Sequence, residues 1–349
     1  MWKELAGLLG LVLVAAGCSG GGPAGGGVAL TGAGATFPYP LYTKWIAEYA
    51  KSTPGVAINY QSIGSGGGIR QLTERTVDFG ASDAPMSDDQ LEKAKGVLHI
   101  PTCLGAVVLA YNLEGVGSGL KLGPETIAGI FLGEIKDWND SRIKALNPDI
   151  ALPARPISTV HRSDGSGTTK IFLDYLSAVS PAWAKGPGSG TSVSWPTGLG
   201  AKGNEGVAGQ LQSQPSTIGY IELAYAMQNR MSMANIQNRA GKSVAPTLES
   251  TTAAARGAAA RMPEDLRISI VDAEGEDAYP IAGFTYILLH GRQQDPAKGK
   301  ALTGFLSWAL TDGQKLTSAL HYAPLPEEVA EKARRRLAGV TGPDAKPLQ

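Results

Sequence analysis

His161-Arg162-Ser163-Asp164-Gly165-Ser166-Gly167-Thr168-Thr169-Lys170 reads as a turn that feeds the N-terminus of a helix. Before it, Arg155 to His161 is a short β-rich run. After it, Phe172, Tyr175, Leu176 and Val179 fall at i, i+3, i+4 and i+7, which is one apolar helix face. A helix start presents unpaired backbone N–H groups and the positive end of the peptide dipoles, so it suits an anion. Arg162 adds a planar fork of donors that matches a tetrahedral oxyanion. Taken alone, the stretch reads equally well as a Ser/Gly turn capping an ordinary helix, with Arg162 on the surface.

Two earlier stretches repeat the pattern. In TGAGATFPYPLYTKW, Leu41, Trp45 and Tyr49 share a helix face, Pro38 suits a first turn and Thr36 is the expected N-cap. In the next, Val56 to Tyr60 reads as a strand, followed by SIGSGGG and a helix, with Ser65 at the expected cap. Then Val77 to Pro85 forms a short strand and a turn that carries Asp83, while Ser87 is the better cap for the helix after it. His99 to Tyr111 is a continuous apolar run typical of a strand buried on both faces, and Cys103 within it reads as a small buried hydrophobe. Trp138 and Trp183 read as packing residues.

Further along, Ser216–Tyr225 and Tyr279–Leu289 read as strands, with an alanine-rich helix over Thr251–Arg261 between them. A final helix begins near Pro326, with Glu328–Lys332 and Glu331–Arg335 as i, i+4 pairs. Strands alternating with helices predict an α/β sheet covered on both faces, with a ligand at the carboxyl ends of strands.

Composition narrows the function. The 349 residues allow two domains, and 31 basic residues against 31 acidic ones give no pull toward nucleic acid. Four separated histidines without H-E-x-x-H make a catalytic zinc site unexpected, and no metal or cofactor is expected. Gly198, Gly200 and Gly203 match G-x-G-x-x-G, but no strand is predicted before them, so the match reads as a decoy for dinucleotide binding. Gly17 to Gly21 matches G-x-S-x-G inside a leader, and Lys170 follows Thr169 in the reverse of P-loop order.

Residues 1–18 read as a signal peptide: Lys3 precedes an apolar run from Leu5 to Ala16, shorter than the roughly 20 residues that span a bilayer. Val14-Ala15-Ala16-Gly17-Cys18 is similar to a bacterial lipobox, with cleavage before Cys18 and lipid on it; the competing reading is a plain secretory signal. Residues 19–27, rich in glycine, form a flexible tether with a reach of roughly 15–20 Å.

TGAGATFPYPLYTKW, YQSIGSGGG, VDFGASDAPMS, HRSDGSGTT, WPTGLGAKGN and STIGYIELAYA together resemble, in order, the segments of the periplasmic phosphate-binding proteins of bacterial phosphate-specific ABC transporters. The likeness runs from about Leu30 to the C-terminus. It implies the two-lobed type II periplasmic binding protein fold: lobe I from 28–110 plus 284–349, lobe II from 111–283, and crossings near Ala110 and Phe284. It implies phosphate ligands at Thr36, Phe37, Ser65 and Asp83 from the first lobe, and at Arg162, Ser166, Gly167 and Thr168 from the second, with Asp164 paired to the arginine. Gly66 stands where some members carry a second serine.

The expectation is therefore a non-enzymatic, monomeric, lipid-anchored envelope protein that binds inorganic phosphate and delivers it to a membrane permease. Neutral donors supply most of the binding. Asp83, which can only accept while ionised, selects an anion that brings a proton, so monohydrogen phosphate is preferred over sulfate. The alternatives are a binder of sulfate or molybdate, a phosphatase, for which no nucleophile or metal cluster is legible, and a structural lipoprotein.

Overall fold

The computed structural model describes residues 27–348. The expected leader 1–18, the lipidation site Cys18 and all of the tether except Gly27 lie outside the described residues. The chain opens with strand β1 (Val28–Gly34), helix α1 (Tyr39–Ser52), β2 (Val56–Ser62), α2 (Ser65–Thr73), β3 (Phe79–Ser82), α3 (Asp88–Lys93) and β4 (Val97–Asn112). β1 lies between β2 and β3 and runs parallel to both, so three strand ends come to one edge. α1 buries Leu41, Trp45 and Tyr49 as the periodicity predicts. Its cap differs from expectation: Pro38 occupies that position and Thr36 caps nothing. Ser65 is likewise one residue inside α2, behind a Gly64 cap at φ +89°, so the glycine run is helical from its first residue. Ser87 caps α3 with a reciprocal Gln90 bond, as expected.

The next segment contains β5 (Lys121–Leu122), α4 (Pro124–Phe131), α5 (Ser141–Leu146), β6 (Ser158–Arg162), α6 (Gly167–Val179), α7 (Pro181–Lys185), β7 (Leu199–Ala201), α8 (Gly203–Ser213) and β8 (Thr217–Glu222). α6 buries Phe172, Tyr175 and Leu176, and Ser166 caps it by accepting from the Thr169 N–H. No strand precedes the glycine motif at 198–203, as expected, but a short strand, β7, lies within it and α8 opens at its last glycine. The strand expected to reach Tyr225 ends at Glu222, because the Glu222 carboxylate caps the next helix, α9 (Leu223–Gln228), through the Ala224 N–H.

Small strands β9 (Ser232–Met233), β10 (Asn235–Gln237) and β11 (Ser243–Val244) follow, then α10 (Leu248–Ala254) and α11 (Ala258–Arg261). The expected single helix over 251–261 is thus two pieces, broken where Gly257 takes φ +71°. β12 (Ala282–His290), α12 (Pro296–Ala309) and α13 (Glu327–Ala338) close the fold. Glu331 and Arg335 pair on α13, whereas Lys332 turns away from Glu328 and donates to the carbonyls of Ala259 and Met262.

Nine strands form one sheet in the order β2-β1-β3-β12-β4-β8-β6-β7, with β9 beside β4. β4 is its spine, a 16-residue strand buried almost throughout on both faces. From Val97 to Ala106 it pairs with β12, and from Val107 to Asn112 with β8. Cys103 is buried in it as a free thiol, and Trp138 and Trp183 are core.

Candidate functional site

The turns after β1 and β3 and the starts of α2 and α6 meet at one buried point. Ser65 Oγ accepts from the Gly167 N–H at 3.0 Å and from the Asp83 N–H at 3.4 Å. The Gly66 N–H donates to the Gly165 carbonyl at 2.9 Å. Residues about a hundred positions apart are therefore in direct contact. Thr36, Phe37, Ser65, Asp83, Arg162, Ser166, Gly167 and Thr168 are all brought to this place, and every one is buried.

Each residue is held by a distinct local cause. Phe37 lies over Gly105, where an added Cβ would come within 2.5 Å of its ring. The carbonyls of Thr36 and Phe37 are taken by the hydroxyls of Tyr225 (2.7 Å) and Tyr322 (2.6 Å). The first N–H groups of α2 and α6 have no carbonyl within their own helix to meet, so both helix starts turn donors toward the same space.

Arg162, the last residue of β6, is almost wholly buried and makes a two-pronged pair with Asp164: Nε to Oδ1 at 2.7 Å and Nη2 to Oδ2 at 2.5 Å. Asp164 also accepts from the Gly203 N–H at 3.1 Å. Burial pushes its carboxyl up, but the Arg162 hydrogen bonds and charge hold it below the ordinary carboxylate range. The pair passes close to Gly64, where a Cβ would sit 2.3 Å from Asp164 Oδ2. Only Nη1 of Arg162 is turned from Asp164, and it reaches Thr168 Oγ1 at 3.4 Å.

Asp83 has a different environment. Burial pushes its carboxyl up to about 7, against the opposing pull of the Thr285 hydroxyl, the Arg162 charge, Ser65 and the Thr168 N–H. Gly66 has no room for a side chain without adjustment, since a Cβ there would lie 3.1 Å from Gly165 Cα.

Sequence reasoning missed four residues. Asn204, at the start of α8, bonds Thr36 and Thr168; Thr285 on β12 bonds Asp83; Tyr225 and Tyr322 anchor the turn at Thr36 and Phe37. Asn204 follows directly on the glycine motif that read as a decoy, and Thr285 is the one threonine inside an otherwise apolar and aromatic strand run. Both signals are visible in the sequence once the site is known. The arrangement is a buried cluster rich in N–H and hydroxyl donors, with the Asp83 carboxylate among them. Among the described residues, no group of three or more His, Cys, Asp and Glu side chains is placed to hold a metal ion, and no helix is long and apolar enough to cross a membrane.

Comparison with known proteins places these features in a wider group. The PBP superfamily domain matches residues 21–313. A phosphate-binding protein PstS of Xylella fastidiosa is 47% identical over 306 residues, covering 87% of this chain and 84% of that protein. One from Methanocaldococcus jannaschii is 41% identical and covers 94% of each. Among solved structures, a phosphate binding protein from Stenotrophomonas maltophilia superposes with a TM-score of 0.68 at 20% identity, covering 88% of this chain and 93% of that one. A high affinity periplasmic phosphate-binding protein with phosphate bound gives a TM-score of 0.70 at 21% identity, with the same coverage. At such identity the structural likeness speaks to the fold, which is that of the two-lobed binding proteins.

Proposed function

The chain belongs to the PBP superfamily and, within it, to the PstS phosphate-binding proteins, and on that premise we propose that it binds inorganic phosphate outside the cytoplasm and delivers it to the permease of an ABC importer. The observation that carries this reading is the meeting of Ser65 with Gly167, which brings two helix starts, an arginine and a carboxylate to one buried point. Lobe I is assigned to 28–110 plus 284–349 and lobe II to 111–283. The change of partner along β4 after Ala106 supports that division.

Phosphate is held, in this reading, by the N–H groups of Phe37, Ser65, Gly167 and Thr168, by the hydroxyls of Thr36, Ser65, Ser166 and Thr168, and by Nη1 of Arg162. Asp164 offsets the arginine's charge, so neutral donors carry the binding. Hydrogen bonds to a charged group contribute about 1.5–3 kcal/mol each. Several of them support sub-micromolar affinity after the costs of association and closure. Asp83 accepts the proton of monohydrogen phosphate, while sulfate would face it with a second acceptor. The lobes close on the anion because neither half satisfies it alone. The closed form is what the permease meets.

The protein acts as a binder and not an enzyme. Residues 1–18 serve as its signal peptide, and Cys18 carries the lipid that anchors a monomer to the envelope. Calorimetry of phosphate, sulfate and arsenate against the purified protein tests the assignment. Tight 1:1 phosphate binding with weak sulfate binding is expected; sulfate binding as tight as phosphate would overturn it.

A further inference from the structure

Asn204 is fully buried, and each of its polar groups is engaged. Its Oδ1 accepts from the Glu222 N–H at 2.9 Å. A backbone N–H can only donate, so this bond fixes which end of the amide is oxygen. Nδ2 therefore faces the site, and its two hydrogens go to Thr36 Oγ1 at 2.8 Å and Thr168 Oγ1 at 3.2 Å. The Asn204 backbone N–H adds a second bond to Thr36 Oγ1, at 3.2 Å.

A hydroxyl oxygen has two lone pairs and one hydrogen. On Thr36 both lone pairs are occupied by Asn204, through its N–H and its Nδ2. On Thr168 one is occupied by Asn204 Nδ2 and the other faces Arg162 Nη1 at 3.4 Å. Neither hydroxyl has an acceptor on the Asn204 side, so each must turn its hydrogen into the chamber. A threonine free to rotate could present either a lone pair or a hydrogen there. With its lone pairs taken, it presents only the hydrogen.

We propose that Asn204 is a positioning residue that sets specificity: it commits the Thr36 and Thr168 hydroxyls to donate toward the anion, and reaches Thr36 only when that residue is brought against α8. The inference rests on the phosphate reading above and deepens it. Asn204 does not touch the anion. It makes two ambivalent hydroxyls into obligatory donors, so that neither competes with the Asp83 carboxylate as an acceptor. It also links recognition to closure, because α8 and Thr36 come from opposite sides of the proposed cleft. An anion with a second proton finds no acceptor at Thr36 or Thr168.

The test is a double-mutant cycle read by phosphate calorimetry on the full chain. Asn204→Asp keeps the side chain's shape and the acceptor for the Glu222 N–H, but offers the two threonines an acceptor that turns their hydrogens away from the anion. Alone, Thr36→Val should weaken phosphate binding by about tenfold or more, the loss of one hydrogen bond to a charged group. In the Asn204→Asp background, where the hydroxyl is already turned away, the same change should cost under about threefold. Should Asn204→Asp fail to fold, Asn204→Ala carries the same comparison, because the freed hydroxyl is no longer aimed. An equal cost of Thr36→Val in both backgrounds, with the wild type binding phosphate, would overturn this proposal and leave the functional reading intact, since a merely structural Asn204 adds its effect independently. A wild type that ignores phosphate would overturn both.

Discussion

Thr285 Oγ1 donates to Asp83 Oδ1 at 2.9 Å, joining the strand β12 to the turn after β3 inside the chamber. The bond holds the Asp83 carboxylate from the β12 side. Thr285→Val keeps the shape and removes the donor. Phosphate affinity should fall about tenfold, since a hydrogen bond to a charged group contributes about 1.5–3 kcal/mol, while circular dichroism stays that of the wild type. An unchanged dissociation constant would show that the Asp83 carboxylate is oriented by other means.

Asp83→Asn replaces an acceptor by a group that can also donate. Titrating both anions should show the preference for phosphate over sulfate narrowed, with sulfate gaining in absolute affinity. If the ratio of the two constants matches the wild type, Asp83 does not read the anion's proton.

Stability without ligand should depend on pH through the same residue. Burial raises the Asp83 carboxyl from the ordinary 3.8 to about 7. Below 3.8 both folded and unfolded forms are neutral, and the contribution to stability is fully present. It is lost as pH rises toward about 7, because the unfolded chain ionises first. The buried Glu222 carboxyl is raised in the same sense, so the informative quantity is the difference from Asp83→Asn. Between pH 4 and 7 the melting temperature of the phosphate-free wild type should drop relative to that variant; parallel curves would refute the link.

Asp164→Ala strips the buried Arg162 of its partner. Removing one member of a buried pair costs about 3–5 kcal/mol, so the empty protein should melt markedly lower. Phosphate then supplies the missing negative charge, and the ligand-induced rise in melting temperature should exceed that of the wild type. Equal rises in both proteins would mean that Asp164 does not offset the arginine.

Closure can be blocked at a glycine. A Cβ on Gly167 would lie 2.6 Å from Asp83 Cβ and 2.7 Å from Ser65 Oγ. Gly167→Ala suits a helix, by up to about 1 kcal/mol in an interior position, yet it wedges the two sides apart. Small-angle scattering should show a fall in radius of gyration when phosphate is added to the wild type and none for the variant, whose affinity drops at least about a hundredfold. Contraction of the variant to the wild-type extent would contradict the two-sided arrangement.

Much of this was legible in the sequence for identifiable reasons. The α6 face of Phe172, Tyr175 and Leu176 and the long β4 run are strong periodic signals, and both stand in the structure. Helix boundaries were less so. Thr36 is a good capping residue by type, but Asn204 engages its hydroxyl, which no local pattern encodes. The helix at 251–261 broke because Gly257 adopts a left-handed conformation that an alanine-rich composition hides. Thr285 and Asn204 were passed over for a shared reason: each acquires its role from a partner 168 or more positions away.

The single strand that carries both pairing surfaces, Val97–Ala106 on one flank and Val107–Asn112 on the other, has a mechanical corollary. If the two proposed lobes are carried on its two flanks, they cannot slide past each other without tearing its hydrogen bonds, so their relative travel would be confined to flexing and torsion. Such a flexure returns along the path it left by. On the proposed closure, Ser65 would be steered back to the same amide of Gly167 with no separate alignment step.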